Sequence, residues 1–381
     1  MIRACLSFLL ASTLFAQARC ATFTIAYFDT PPNAQAAIEH AAGIWGGILV
    51  SDVPIKVTVQ WLAMGGNALG VTFPNGRKDF ASAPVPATWY ATALANSIAG
   101  TELNPGEDDI NVYLNASTNW YYGTDGNTPA GQYDLVSVAL HEFCHGIGFV
   151  GLAKKVGSEG SFGLLQPSDF APLITTFPWP QQDTLPGIFD RFLRAPTLEL
   201  LVDVPNPSTP LGSFFTCNQL RWSGSFGLVG SGGADIRIYS PATFALGSSC
   251  VHLNETTYPA GNANELMTPF SSAGHANHWP GPICIGILQD IGWVIAPDVA
   301  IDEIPGSEGW TLYPNPASHQ LHLSGVPGIS GARCEVIDRA GRVVASHVGE
   351  PTVDVSSIEP GSYLLRVVSS DRIIQRAFVK I

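Results

Sequence analysis

The sequence predicts an α+β fold followed by a separate small all-β module. Three observations carry this. The N-terminal half alternates strand-like and helix-like apolar patterns. The stretch around 297–309 shifts to Pro, Asp, Glu and Gly, the composition of a linker. Beyond it, residues 310–381 read as short alternating strands separated by turns such as Pro360-Gly361 and Ala340-Gly341.

The elements follow in order. Thr22–Tyr27 alternates as a strand. Asn33–Ile48 places Ile38, Ala41, Ala42, Trp45 and Ile48 at the spacing of an amphipathic helix, with His40 on its outer side. Val53–Trp61 alternates cleanly, with Ile55, Val57, Val59 and Trp61 on one face. Ala87–Ala99 is a second helical segment, and Asp109–Asn115 a further strand. Asp134–His145 is a strongly apolar helix with Asp134 as its N-cap, closed by Gly146 and Gly148. Residues 152–250 are rich in Gly, Pro and Ser and read as long loops with short elements. Pro282–Ile291 is a last short helix before Gly292-Trp293.

Composition excludes some function classes. The chain has 381 residues with 18 Lys+Arg against 31 Asp+Glu, a net charge of -13. That acidic balance lacks the basic stripe of a nucleic-acid binder. At 46% hydrophobic and 13% charged residues, the chain can bury a large core. The N-terminus carries Arg3, an apolar run from Ala4 to Ala16, and the small-residue site Ala16-Gln17-Ala18. Residues 1–18 are therefore expected to be a secretory leader, cleaved after Ala18. Arg19 does not suit a lipidation site at Cys20. No apolar stretch is long enough for a transmembrane span. Export permits disulfides. Cys217 with Cys250 is the preferred pair and Cys144 with Cys284 a second, although spacing alone does not set connectivity.

His141-Glu142-Phe143-Cys144-His145 is an HExxH. Residues four apart lie on one side of a helix, so both imidazoles offer adjacent corners of a zinc tetrahedron. Glu142 is placed to take a proton from a water that Zn2+ has acidified. Hydrolytic zinc needs a third protein ligand and one open position. The position six beyond the second His is Gly151, so that ligand must come from far along the chain. His319, His322 and His347 belong to the terminal module. His252, His275 and His278 remain, with Glu255 as a carboxylate alternative. Glu107-Asp108-Asp109 reads as a solvated acidic turn rather than a calcium site.

HEFCHGIGF, the His in VHLNE, then ELMTPF and ILQDIGW resemble the secreted bacterial HExxH metallopeptidase-like proteins, akin to leishmanolysin-type metzincin-like peptidases. In that group a long insertion precedes the third His. The resemblance spans roughly Thr22 to Trp293, giving a domain over residues 19–296. It implies a zincin-like domain with a mixed sheet, an active-site helix and a cleft where substrate lies along an edge strand, for which Asp109–Asn115 is a candidate. It assigns His141, His145 and His252 as metal ligands, Glu142 as general base, and Met267 to the turn beneath the metal. Cys144, in place of a small residue, and Asn254, where an acid is common, depart from the pattern. They leave specificity open.

The terminal module has its own resemblance. Leu312-Tyr313-Pro314-Asn315-Pro316-Ala317, Ile337-Asp338-Arg339-Ala340-Gly341-Arg342, Pro360-Gly361-Ser362-Tyr363 and the final Phe378-Val379-Lys380-Ile381 are similar to the C-terminal sorting domain of the type IX secretion system of Bacteroidetes. This implies handling by that machinery and a secreted or cell-surface location. The expected function is a secreted zinc metallopeptidase acting on protein or peptide substrates. The alternative is a catalytically inactive exported adhesin that retains a metal site.

Overall fold

The computed structural model describes residues 20–174, 179, 183–296, 311–326, 329–337, 343–368 and 373–380. The expected leader and the 297–309 linker lie outside these residues, as does the turn at 338–342.

Four strands build the first sheet: β1 (Phe23–Phe28), β2 (Ile55–Leu62), β3 (Gly70–Pro74) and β4 (Ile110–Asn115). Their order is β1-β2-β4-β3. β1 runs parallel to β2 (Phe23 opposite Ile55), and β2 parallel to β4 (Val57 opposite Ile110). β3 is antiparallel to β4, with Val71 opposite Tyr113, so the sheet is mixed. Ile55, Val57, Val59, Ile110, Val112 and Leu114 are all buried, as strands covered by helices require. The strand expected at Asp109–Asn115 is therefore interior. The edges are β1 and β3, and sequence patterning missed β3 because it is five residues long and bounded by Gly70 and Pro74.

Helix α1 (Pro32–Ile48) starts on a proline, whose missing N–H would be unpaired there anyway. It buries Ile38, Ala41, Ala42, Trp45 and Ile48, the expected stripe. Helix α2 (Thr92–Ala99) is shorter than expected, because Trp89–Ala91 is a strand. Helix α3 (Leu135–Gly146) carries the HExxH. Asp134 caps it, accepting from the Ser137 N–H and hydroxyl, both at 2.7 Å. Two buried indoles grip α3: Trp45 Nε1 donates to the Leu140 carbonyl (2.9 Å), and Trp293 Nε1 to that of Ile147 (2.7 Å). Gly146 lets α3 approach β4, since a Cβ there would stand 2.5 Å from Ile110. Truncating a fully buried Trp such as Trp45 would cost about 3–5 kcal/mol.

Residues 152–250 are mostly irregular, with the hairpin Ala153–Val156/Glu159–Phe162 and two short helices, Thr209–Phe214 and Ser225–Gly230. Helix α4 (Gly281–Ile291) closes the domain, ending at Gly292 with φ +125. Its Asp290 accepts from the N–H groups of Phe226 and Gly227 and from Trp222 Nε1, at 2.8–2.9 Å. Burial pushes this carboxyl up to about 7 against those donors. The acidic turn at Glu107–Asp109 also has a structural role. Asp109 is fully buried, not solvated, and accepts from the Lys56 N–H (2.8 Å) and Asn96 Nδ2 (2.9 Å), tying β4 to β2 and α2.

The terminal module is all-β. One sheet pairs β5 (Thr311–Tyr313), β6 (Gln320–Ser324) and β9 (Thr352–Asp354). The other has the order β8 (Val343–Val348), β7 (Arg333–Ile337), β10 (Gly361–Val368), β11 (Ile373–Lys380). Leu312, Leu321, Leu323, Val336, Leu365 and Phe378 fill the core between them.

Candidate metal centre

α3 places His141 and His145 one turn apart on the face away from the core-packed Phe143. The third residue arrives on an irregular segment held as firmly as a strand. His252 C=O accepts from the Tyr239 N–H (2.8 Å), Leu253 N–H donates to Met267 C=O (2.7 Å), and Asn254 N–H to Arg237 C=O (2.9 Å). The three Nε2 atoms converge. They stand 3.0 Å (His145 to His141), 3.1 Å (His145 to His252) and 3.3 Å (His252 to His141) apart.

Each ring is oriented from behind. His141 Nδ1 lies 2.6 Å from Leu266 C=O, His145 Nδ1 2.7 Å from Phe149 C=O, and His252 Nδ1 2.9 Å from Ser248 C=O. A carbonyl only accepts, so each Nδ1 carries the proton and each Nε2 presents a lone pair inward. Burial holds all three imidazoles below their ordinary value, and the neighbouring imidazoles add to this at His145 and His252, the latter lowered to about 3. The rings thus stay neutral and ligand-competent. Three lone pairs facing one point repel unless a cation stands among them. A tetrahedron with metal–nitrogen distances of about 2.0–2.1 Å has edges of about 3.3–3.4 Å, close to the observed triangle. The donor set fits a borderline-soft divalent ion such as zinc.

His141, His145 and His252 are the one group of three or more metal-ligating side chains among the described residues. The other candidates are placed elsewhere. His275 pairs with Glu265 (2.6 Å), and His278 with the α3 cap Asp134 (2.9 Å). Glu255 lines the same cleft outside the trio. Met267 is fully buried in the turn whose preceding carbonyl, Leu266, orients His141.

Glu142 is 5% exposed and borders the cleft beside the trio. Burial raises its carboxyl to about 7, opposed by a hydrogen bond that Thr72 Oγ1 donates to Oε2 at 2.6 Å. Thr72 lies on the edge strand β3, and Gly70 two residues earlier is equally constrained: a Cβ there would meet Glu142 Oε1 at 2.7 Å. Neither residue carries a motif in the sequence. The cleft has a volume of about 690 Å³. Phe73, Leu152, Leu165, Phe170, Trp179 and Leu246 line its apolar part. Its acidic lining is Glu142, Glu255 and Glu265, beside histidines and Tyr133, without Lys or Arg.

No disulfide joins any two of the described cysteines. The bridge preferred from the sequence, Cys217 to Cys250, is absent: Cys217 Sγ accepts from the Gln219 N–H (3.4 Å), and Cys250 Sγ lies 4.0 Å from Phe215 C=O. Cys144 and Cys284 do meet, Sγ to Sγ at 3.3 Å.

Residues 94–158, which span α3 and its motif, match a family model described as SPBPB7E8-like. Residues 311–380, nearly the whole terminal module, match the secretion system C-terminal sorting domain. No curated protein matches the chain. No helix among the described residues is long and apolar enough to cross a membrane. The chain carries a type IX sorting domain and is exported by that machinery, to the cell surface or beyond it.

Proposed function

We propose that the N-terminal domain is a zinc-dependent peptidase. The observation that carries this reading is the inward convergence of three neutral imidazoles with a buried carboxylate, Glu142, at their side. A zinc ion bound to the trio would supply Lewis-acid activation of a water and of the scissile carbonyl. The chain's own residues supply the rest. Glu142, buried at the side of the trio, would take the attacking water's proton and return it to the leaving amine. Thr72 holds Glu142 through Oε2 and leaves Oε1 for that transfer. Among the described residues the outer side of β3 has no strand partner in its sheet, so an extended peptide could pair along it and pass its scissile bond over the trio. The apolar wall around Phe73 and Trp179 would receive a side chain of that peptide and exclude water.

Two features favour an enzyme over an inactive exported adhesin with a structural metal. Structural zinc sites are usually closed by four protein ligands, and among the described residues no fourth His, Cys, Asp or Glu joins the trio. A purely structural site also has no use for a buried carboxylate, whose burial costs free energy. The test is hydrolysis of a denatured protein by the zinc-loaded, full-length exported chain. Glu142→Gln should keep its metal and lose cleavage by 10³-fold or more, on the order expected for loss of a general base with its charge. A wild-type protein that holds zinc yet cleaves nothing across a broad peptide library overturns the reading.

A further inference from the structure

Cys144 and Cys284 are both fully buried, and their sulfurs lie 3.3 Å apart. Cys144 sits in α3 between Glu142 and His145, and Cys284 in the first turns of α4. At that separation the sulfurs are inside van der Waals contact. A shift of little more than 1 Å would bring them to the bonding distance of about 2.05 Å. The sorting domain sends the chain out of the cytosol, where thiols are no longer kept reduced.

We propose that Cys144 and Cys284 form a disulfide in the exported protein, bolting the HExxH helix to α4. One thiolate attacks a disulfide of a cell-envelope dithiol oxidase, giving a mixed disulfide. The second thiolate displaces the oxidase sulfur. The two thiol protons are lost, two electrons leave with the oxidase, and that enzyme departs as its dithiol. Because both sulfurs are shielded in the folded chain, the exchange takes place during folding, before α3 docks on α4. The bond closes a loop across a separation of 140 residues that contains His145, His252 and the Leu266–Met267 turn. It keeps two of the three imidazoles in one covalent ring whether or not the ion is bound. This proposal rests on export and geometry, not on peptidase activity. Cys217 and Cys250, by contrast, turn to different partners.

The experiment is peptide mapping by mass spectrometry on the full-length protein recovered from the medium or cell surface, alkylated under denaturing, non-reducing conditions. A cross-linked peptide pair containing Cys144 and Cys284 is expected, 2 Da lighter than the sum of its parts and lost on reduction. Full alkylation of both cysteines, or linkage of either one to a different cysteine, overturns the proposal. As a second readout, reductant should lower the thermal midpoint of the metal-free protein by about 5–15 °C, and should leave a Cys144→Ala/Cys284→Ala double variant unmoved. If that variant does not fold, the mapping of the wild type decides alone.

Discussion

His252→Ala removes one corner of the imidazole triangle and leaves His141 and His145 in place on α3. His252 Nε2 stands 3.1 and 3.3 Å from the other two Nε2 atoms, so no other described side chain takes its place without rebuilding the 248–254 segment. Structural zinc sites with four ligands bind with about 10–16 kcal/mol, or about 2.5–4 kcal/mol per ligand. Losing one imidazole should therefore weaken zinc binding by about 10²–10³-fold. Competition titration against a chromophoric chelator measures this directly, with circular dichroism to show that the variant is folded. Glu255→Ala, His275→Ala and His278→Ala serve as controls, because those residues lie outside the trio. Unchanged affinity in His252→Ala, or a comparable loss in Glu255→Ala, would refute the assignment of the third ligand.

Three further outcomes are expected. Thr72→Val deletes a 2.6 Å hydrogen bond to a buried carboxylate, worth about 1.5–3 kcal/mol, and should lower kcat by about 10–100-fold with metal content unchanged; Thr72→Ser should restore it, and a fully active Thr72→Val would remove Thr72 from the account. Asp290 has its carboxyl raised from 3.8 to about 7 in the fold, so its stabilisation is complete below about pH 4 and lost as pH rises to 7. Urea midpoints of the metal-free proteins should show wild type losing about 2–4 kcal/mol relative to Asp290→Asn across that window, and a relative gain would contradict the burial argument. Deleting the chain from residue 310 onward should trap the protein in the cell envelope, and fractionation that finds the truncated form outside would contradict the role of the tail.

Much of the candidate site is legible in the sequence because its chemistry is written in residue types. A His-x-x-x-His pair on an apolar helix defines one face by periodicity alone, and the flanking ELMTP segment marked His252 over His275 and His278. What escaped lies in the backbone and in chain reversal. The carbonyls of Leu266, Phe149 and Ser248 that set the imidazole tautomers have no residue signature. Thr72 became part of the site only because β3 folds back antiparallel on β4, and a five-residue strand flanked by loops gives too short an alternation to read. Asp109 looked solvated because its neighbours are acidic, yet its role is to accept from Lys56 and Asn96 inside the fold. Periodicity places Trp45 as one more member of an apolar stripe. Its indole N–H, donated to Leu140, depends on where α1 crosses α3.

The central claim is that His141, His145 and His252 together hold one divalent ion through Nε2 and leave a coordination position open. Metal-edge X-ray absorption on the zinc-loaded, full-length protein tests it most directly. The account predicts three imidazole nitrogens and one further light atom at about 2.0–2.1 Å, with one imidazole contribution lost in His252→Ala. Sulfur at about 2.3 Å, a fourth protein nitrogen, or a spectrum unchanged by His252→Ala would contradict it.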